Sequence, residues 1–264
     1  MTGAKDVRRN PHIHFSIMET YDIRENETLE DLQLKGLRLI QKKEGFRFGM
    51  DSVLLADFAK IRPGDEVVDF GCGTGILPLL LWGRGKGKHF LGIEIQESMA
   101  EMAERTVKLN GLSGTIEIRC ADITENMNIP PCSVDAVVCN PPYGMPGRVL
   151  RNQTETIATA RHQDQHTLAR FFRSAFRILK GKGKLFLVYP AAQMFSLMTE
   201  LKASHLEPKH FRLVYPDAKH PANLVLMEAV RDAKPLLHPM PPLLIYNEEG
   251  NLTNELQSIY TESV

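Results

Sequence analysis

Two short stretches carry the residue types best suited to chemistry in this chain of 264 residues. One is Asn140-Pro141-Pro142-Tyr143, the other Asp69-x-Gly71-x-Gly73-x-Gly75. In the first, two prolines fix the backbone and aim one amide and one aromatic ring, although alone the same residues also read as a rigid turn. In the second, glycines at alternate positions keep the backbone turned and bare, so a ligand can approach the peptide groups at a helix N-terminus. A nucleotide-like cofactor is the natural occupant. The spacing differs from the dinucleotide pattern G-x-G-x-x-G. Glu94 follows about twenty residues after the loop, where an acid in α/β folds takes ribose hydroxyls; a strand-end carboxylate in solvent is the plain alternative.

These residues need a scaffold that brings them to one edge. Val67 and Val68 lead as a buried strand into the glycine loop, and Ile76 to Trp82 can start the next helix. Residues 88–95 give a second strand ending at Glu94. Gln96 to Leu109 reads as an amphipathic helix, closed by Asn110-Gly111. Ile116 to Cys120 and Val134 to Cys139 are the next strands, followed by Ala121-Asp122 and by Asn140. Such alternation predicts an α/β sheet, largely parallel, whose ligands bind beyond the carboxyl ends of its strands. Asp69, Glu94, Asp122 and Asn140 all fall there and are read as one site.

Helix 167–179, strand 184–189 and helix 191–203 continue the sheet, and strands 211–215 and 223–230 finish it as an antiparallel pair, with a last short strand over 243–246. Upstream, residues 1–33 are polar and expected to have low order. Leu34 to Phe48 reads as a hairpin turning at Glu44-Gly45, and Asp51 or Ser52 as the cap of a helix running to Lys60. Gly144 to His166 is a long polar stretch, expected to be a lid, a substrate loop or disorder. The expectation is one domain over 34–264, with an N-terminal hairpin and a C-terminal extension.

The glycine loop resembles the first motif of S-adenosylmethionine-dependent methyltransferases. Asn140 to Tyr143 resembles the N-P-P-Y motif of those that methylate a planar nitrogen in adenine, guanine or glutamine. The lone pair of such a nitrogen is delocalised and must be turned toward an electrophilic methyl. Two acceptors, the Asn140 side-chain oxygen and the Pro141 carbonyl, could each take one N–H, while Tyr143 stacks on the planar group. Phe46 to Ile61, Asn140 to Gly147, Ala158 to Gln163 and His220 to Val230 together are similar to the bacterial tRNA1(Val) adenine-N(6) methyltransferase family. The pattern differs from that family at Gly144-Met145 and Gln163.

That resemblance implies a Rossmann-like class I methyltransferase with a mostly parallel seven-stranded sheet, helices on both faces and S-adenosylmethionine as cofactor. Its substrate would be the 6-amino group of an adenine in the anticodon loop of a valine tRNA. Gly71, Cys72, Gly73, Gly75, Glu94, Ile95, Asp122, Ile123 and Asn140 would line the cofactor site, with Phe48 and Gly49 covering the methionine end. Asp122 would accept from the adenine amino group or cap the next turn. Asp69 would reach the methionine end through water or fix the loop, and Asp51 reads equally as cap or contact. The alternatives are a release-factor glutamine methyltransferase, a guanine-amine rRNA methyltransferase and a catalytically idle RNA-binding protein.

Charge adds a partner. Lys plus Arg equals Asp plus Glu at 32 each, so no overall field draws the chain to nucleic acid, and placement must do it. From Met145 to Lys184 nine basic residues stand against Glu155 and Asp164, a net of +7; Lys35, Arg38, Lys42, Lys43 and Arg47 against Glu44 give +4. Arg148, Arg151, Arg161, Lys42 and Lys43 are the candidate contacts to tRNA phosphates. The four cysteines form no C-x-x-C pair, and His162 and His166 lack a partner for a metal site, so no metal is expected. No apolar run could cross a bilayer or act as a signal peptide, so the expected setting is the cytoplasm, as a monomer or weak homodimer.

Overall fold

The computed structural model describes residues 22–44, 49–125, 127–141 and 157–261, with the backbone alone for 157–167. Its centre is β3 (Glu66–Phe70), flanked in parallel by β4 (His89–Glu94) and then β5 (Ile116–Cys120) on one side. On the other side lie β6 (Val134–Cys139) and β7 (Leu179–Pro190), also parallel. β9 (Leu224–Arg231) runs antiparallel between β7 and β8 (Leu206–Tyr215). The two-residue strands β10 (His238–Pro239) and β11 (Leu243–Leu244) extend the outer edge of β8. The expected parallel sheet with an antiparallel finish is therefore present.

Period-two burial explains the layering. Val67, Val138 and Phe186 face one layer, built from α1 (Met50–Phe58), α2 (Ile76–Gly83) and, at the C-terminus, α6 (Asn254–Thr261). Their neighbours Val68, Val137 and Leu185 face the other, under α4 (Ile157–Ile178) and α5 (Met194–Ala203). α3 (Glu97–Leu109) buries Met99, Met102, Ala103, Thr106 and Val107, the stripe its periodicity predicts.

Several boundaries differ from expectation; β7 and β8 begin at Leu179 and Leu206, five residues before the expected 184 and 211. The hairpin is β1 (Glu27–Asp31) with β2 (Arg38–Lys42), so part of the stretch expected to be unordered is a strand and the turn lies at 32–37 rather than Glu44-Gly45. The alternation misled because Leu39, Ile40 and Gln41 are all buried, both faces of β2 being covered. Glu27 is held by Arg105 of α3 at 2.6 Å, which anchors β1 to the body. α4 begins at Ile157, inside the stretch expected to be loop, and α6 was not foreseen. α1 starts from Gly49, with no side-chain cap, so neither Asp51 nor Ser52 caps it.

Candidate active site

The strand registers set the site. Phe70 pairs with Ile93 and with Cys139, and Glu94 with Cys120, so Gly71, Ile95, Ala121 and Asn140 leave the sheet at one edge. Gly71, Gly73 and Gly75 have φ of 71°, 54° and 81°, a region costly for any other residue there. The Gly71 and Cys72 N–H groups both donate to the Ile93 carbonyl, pinning the loop across β4. A Cβ at Gly71 would meet nothing within 4 Å, so the loop's outer surface is bare backbone. The Cys72 side chain turns the other way. A Cβ on Gly92 would fall 2.8 Å from its sulfur, so Cys72 packs onto the strand and offers a ligand only its backbone. Burial pushes its thiol well up, and Asp69 and Glu94 add to the shift.

Asp69 is the anomaly of the site. It is 1% exposed, and among the described residues neither carboxylate oxygen has a hydrogen-bond partner. The loop N–H of Gly73 goes to Glu94 and that of Gly75 to the Cys72 carbonyl, so Asp69 does not tie the loop. Burial first, then the Glu94 charge, push its carboxyl well above the usual range. An orphaned buried carboxylate is costly unless a cation or donor completes it.

Glu94 is 6% exposed and bridges two elements: its carboxylate accepts from the Gly73 N–H at 3.0 Å and the Gln96 N–H at 2.9 Å. Two backbone bonds leave an ionised carboxylate with acceptor capacity for hydroxyls. Ile95, next along, is 63% exposed, an apolar side chain displayed beside that acid. Asp122 accepts from the Thr124 N–H at 2.7 Å, the turn-capping arrangement weighed for it, and Ile123 beside it is half-buried against the core.

Asn140 leaves β6 half-buried, and its Nδ2 donates to Ser52 Oγ of α1 at 3.2 Å. Pro141 is buried. The start of α1 therefore lies against the same strand edge, with Gly49 exposed at the helix start and Asp51 in its first turn, its carboxyl raised by burial. The residues present suit a nucleotide cofactor with a cationic end: bare glycine backbone, an orphaned carboxylate, a strand-end acid and an exposed apolar side chain.

The family model described as "Methyltransferase small domain" matches residues 48–207, which span the glycine loop, Glu94 and Asn140. The chain belongs to that methyltransferase family. The methyltransferase is 27% identical over 221 residues to a Proteus mirabilis protein named tRNA1(Val) (adenine(37)-N6)-methyltransferase, covering 82% of this chain and 86% of that one. A Parabacteroides distasonis protein of the same name is 26% identical over 205 residues, covering 77% and 85%. A crystal structure of a predicted O-methyltransferase from Agrobacterium tumefaciens matches with a TM-score of 0.66 at 21% identity, over 81% of this chain and 97% of that one, and shows the shared fold.

On the methyltransferase, Lys42 closes β2 and Lys43 follows it. That strand runs antiparallel to α3, since the Arg38 N–H donates to Asn110 and the Ile40 N–H to Thr106, so Lys42 and Lys43 lie toward the site edge. Phe48, Pro142, Tyr143, Arg148 and Arg151 lie outside the described residues, as do the side chains of Arg161, His162 and His166. Among the described residues no cluster of His, Cys, Asp or Glu could hold a metal, and no helix is long and apolar enough to cross a membrane. Two contributors escaped sequence reasoning. Gly92, which makes room for Cys72, was signalled by a glycine inside an apolar strand; Ser52 was read only as a cap.

Proposed function

We propose that this methyltransferase moves a methyl group from S-adenosylmethionine to the exocyclic 6-amino group of an adenine in tRNA, in the anticodon loop of a valine tRNA. It acts in the cytoplasm as a monomer or weak homodimer. The observation that carries the reading is Asn140-Pro141 emerging beside a glycine loop whose floor is an orphaned acid. In this reading Glu94 takes the ribose hydroxyls, Ile95 and Ile123 flank the adenine of the cofactor, and Asp122 accepts from its amino group. Asp69 completes the cationic methionine end, with Gly49 and Phe48 at its cover. When bound, the cofactor supplies an electrophilic methyl on a sulfonium and a neutral thioether leaving group.

The chain's own work is alignment. Asn140 Oδ1 and the Pro141 carbonyl accept the two N–H groups of the target amine, turning its lone pair toward the methyl and favouring the partly positive nitrogen of the transition state. The N–C bond forms as the C–S bond breaks, and the methylated nitrogen, made acidic by its positive charge, gives up one proton to solvent, so no strong base is needed. Tyr143 stacks on the adenine once it is turned out of the single-stranded loop, and Lys42, Lys43, Arg148, Arg151 and Arg161 hold flanking phosphates. The names of the relatives support an adenine in tRNA as acceptor. Calorimetry with S-adenosylmethionine, followed by methyl transfer to unmodified tRNA and to a release factor, tests it. Cofactor binding with transfer to tRNA alone is expected; transfer only to release-factor glutamine, or no cofactor binding, overturns it.

A further inference from the structure

We infer that Ser52 is a positioning residue for Asn140, fixing the direction in which that amide presents its oxygen to the acceptor nitrogen. The inference rests on the methyl-transfer reading and deepens it. α1 buries an unbroken run, Ser52, Val53, Leu54, Leu55 and Ala56, and Ser52 is its single polar member at 2% exposure. A hydroxyl placed there is costly unless it is bonded. Its bond crosses 88 positions of sequence to reach Asn140, which lies in the most chemically specific motif of the chain.

An amide has two ends set rigidly about one carbon. With Nδ2 donating to Ser52 Oγ at 3.2 Å, rotation of the Asn140 side chain is restrained and Oδ1 is held in one direction. Because a hydroxyl can accept from the amide nitrogen or donate to its oxygen, the bond fixes the amide plane rather than selecting its end; in the arrangement present Nδ2 faces α1 and Oδ1 points away from it. Ser52 touches neither methyl donor nor acceptor in this account. It acts through Asn140 alone, as the supporting shells of preorganised sites do.

Single-turnover transfer to unmodified tRNA tests this with Ser52→Ala, Ser52→Thr, Asn140→Ala and the Ser52→Ala/Asn140→Ala pair. Ser52→Ala should lower the transfer rate ten- to hundredfold, while the dissociation constants for S-adenosylmethionine and tRNA stay within twofold and the melting temperature within a few degrees. Ser52→Thr, which keeps the hydroxyl, should recover most of the rate. In the Asn140→Ala background, adding Ser52→Ala should change nothing further, and this comparison decides the matter even where the added methyl of threonine disturbs packing. A Ser52→Ala rate within twofold of wild type, or an equal loss in both backgrounds, overturns the positioning role. If wild-type protein transfers no methyl to tRNA, the reaction reading has failed and this inference falls with it.

Discussion

Replacing Asp69 by asparagine should move stability and cofactor affinity in opposite directions. The carboxylate is 1% exposed, both oxygens lack partners among the described residues, and Glu94 is close enough to raise its pKa further. Because the folded state holds this proton to higher pH than the unfolded chain, Asp69 makes stability fall as pH climbs from the ordinary carboxylate value through the raised one. Asparagine fills the same volume without the charge. Above that raised value the variant without cofactor should be more stable by about 1 kcal/mol, roughly 2–4 °C in melting temperature for a chain of this size.

Affinity should go the other way. A charged hydrogen bond to the cationic end of S-adenosylmethionine contributes about 1.5–3 kcal/mol, so Asp69→Asn should weaken binding about ten- to hundredfold. Wild-type binding should release a proton and strengthen with rising pH, and the variant should lose that dependence. Scanning fluorimetry gives the first quantity and calorimetry in buffers of different ionisation enthalpy the others. A variant that melts below wild type yet binds the cofactor equally well, with the same proton release, would refute the reasoning.

Glu94→Ala should damage more than the ligand: the Gly73 and Gln96 N–H groups lose their acceptor, costing about 2–4 kcal/mol of stability in addition to weaker cofactor binding, and thermal melts that do not move would remove its bridging role. Lys86 donates to the carbonyls of Ala56, Asp57 and Ala59 at the end of α1, so Lys86→Met should lower the melting temperature by about 5–10 °C through about 2–3 kcal/mol, with transfer at 20 °C unchanged. Binding of tRNA should weaken steeply with salt, each phosphate contact adding about −0.7 to the logarithmic slope, and charge reversal at Arg148, Arg151 and Arg161 should flatten it while the cofactor constant holds. Salt-insensitive binding would put the basic segments outside the RNA contact.

Much of the site was legible because its signals are local. The glycine loop, Glu94 and Asn140 each sit at the end of an apolar strand, and parallel strands in register bring such ends together. β5 and β6 begin and end where the sequence put them, Ile116 to Cys120 and Val134 to Cys139. What was illegible depends on partners far along the chain. Glu27 is buried in a polar segment because Arg105 holds it, and nothing within residues 22–33 says so. Ser52 looked like a cap because serine before an apolar run usually is one, yet Gly49 starts the helix and the hydroxyl serves Asn140 instead. The sequence reads Glu94 as an acid for the ribose hydroxyls and leaves Asp69 between the methionine end and a loop-fixing role; their environments divide them, since it is Glu94 that is bonded to the loop backbone and Asp69 that has no partner among the described residues.

The most direct test is to incubate the protein with methyl-labelled S-adenosylmethionine and unmodified total tRNA, digest to nucleosides and locate the label, for wild type and Asn140→Ala. The account predicts label in N6-methyladenosine, with the rate falling about 10²–10³-fold in the variant while cofactor affinity stays near wild type. Label on an oxygen or another base, or an Asn140→Ala rate within threefold of wild type, would contradict it.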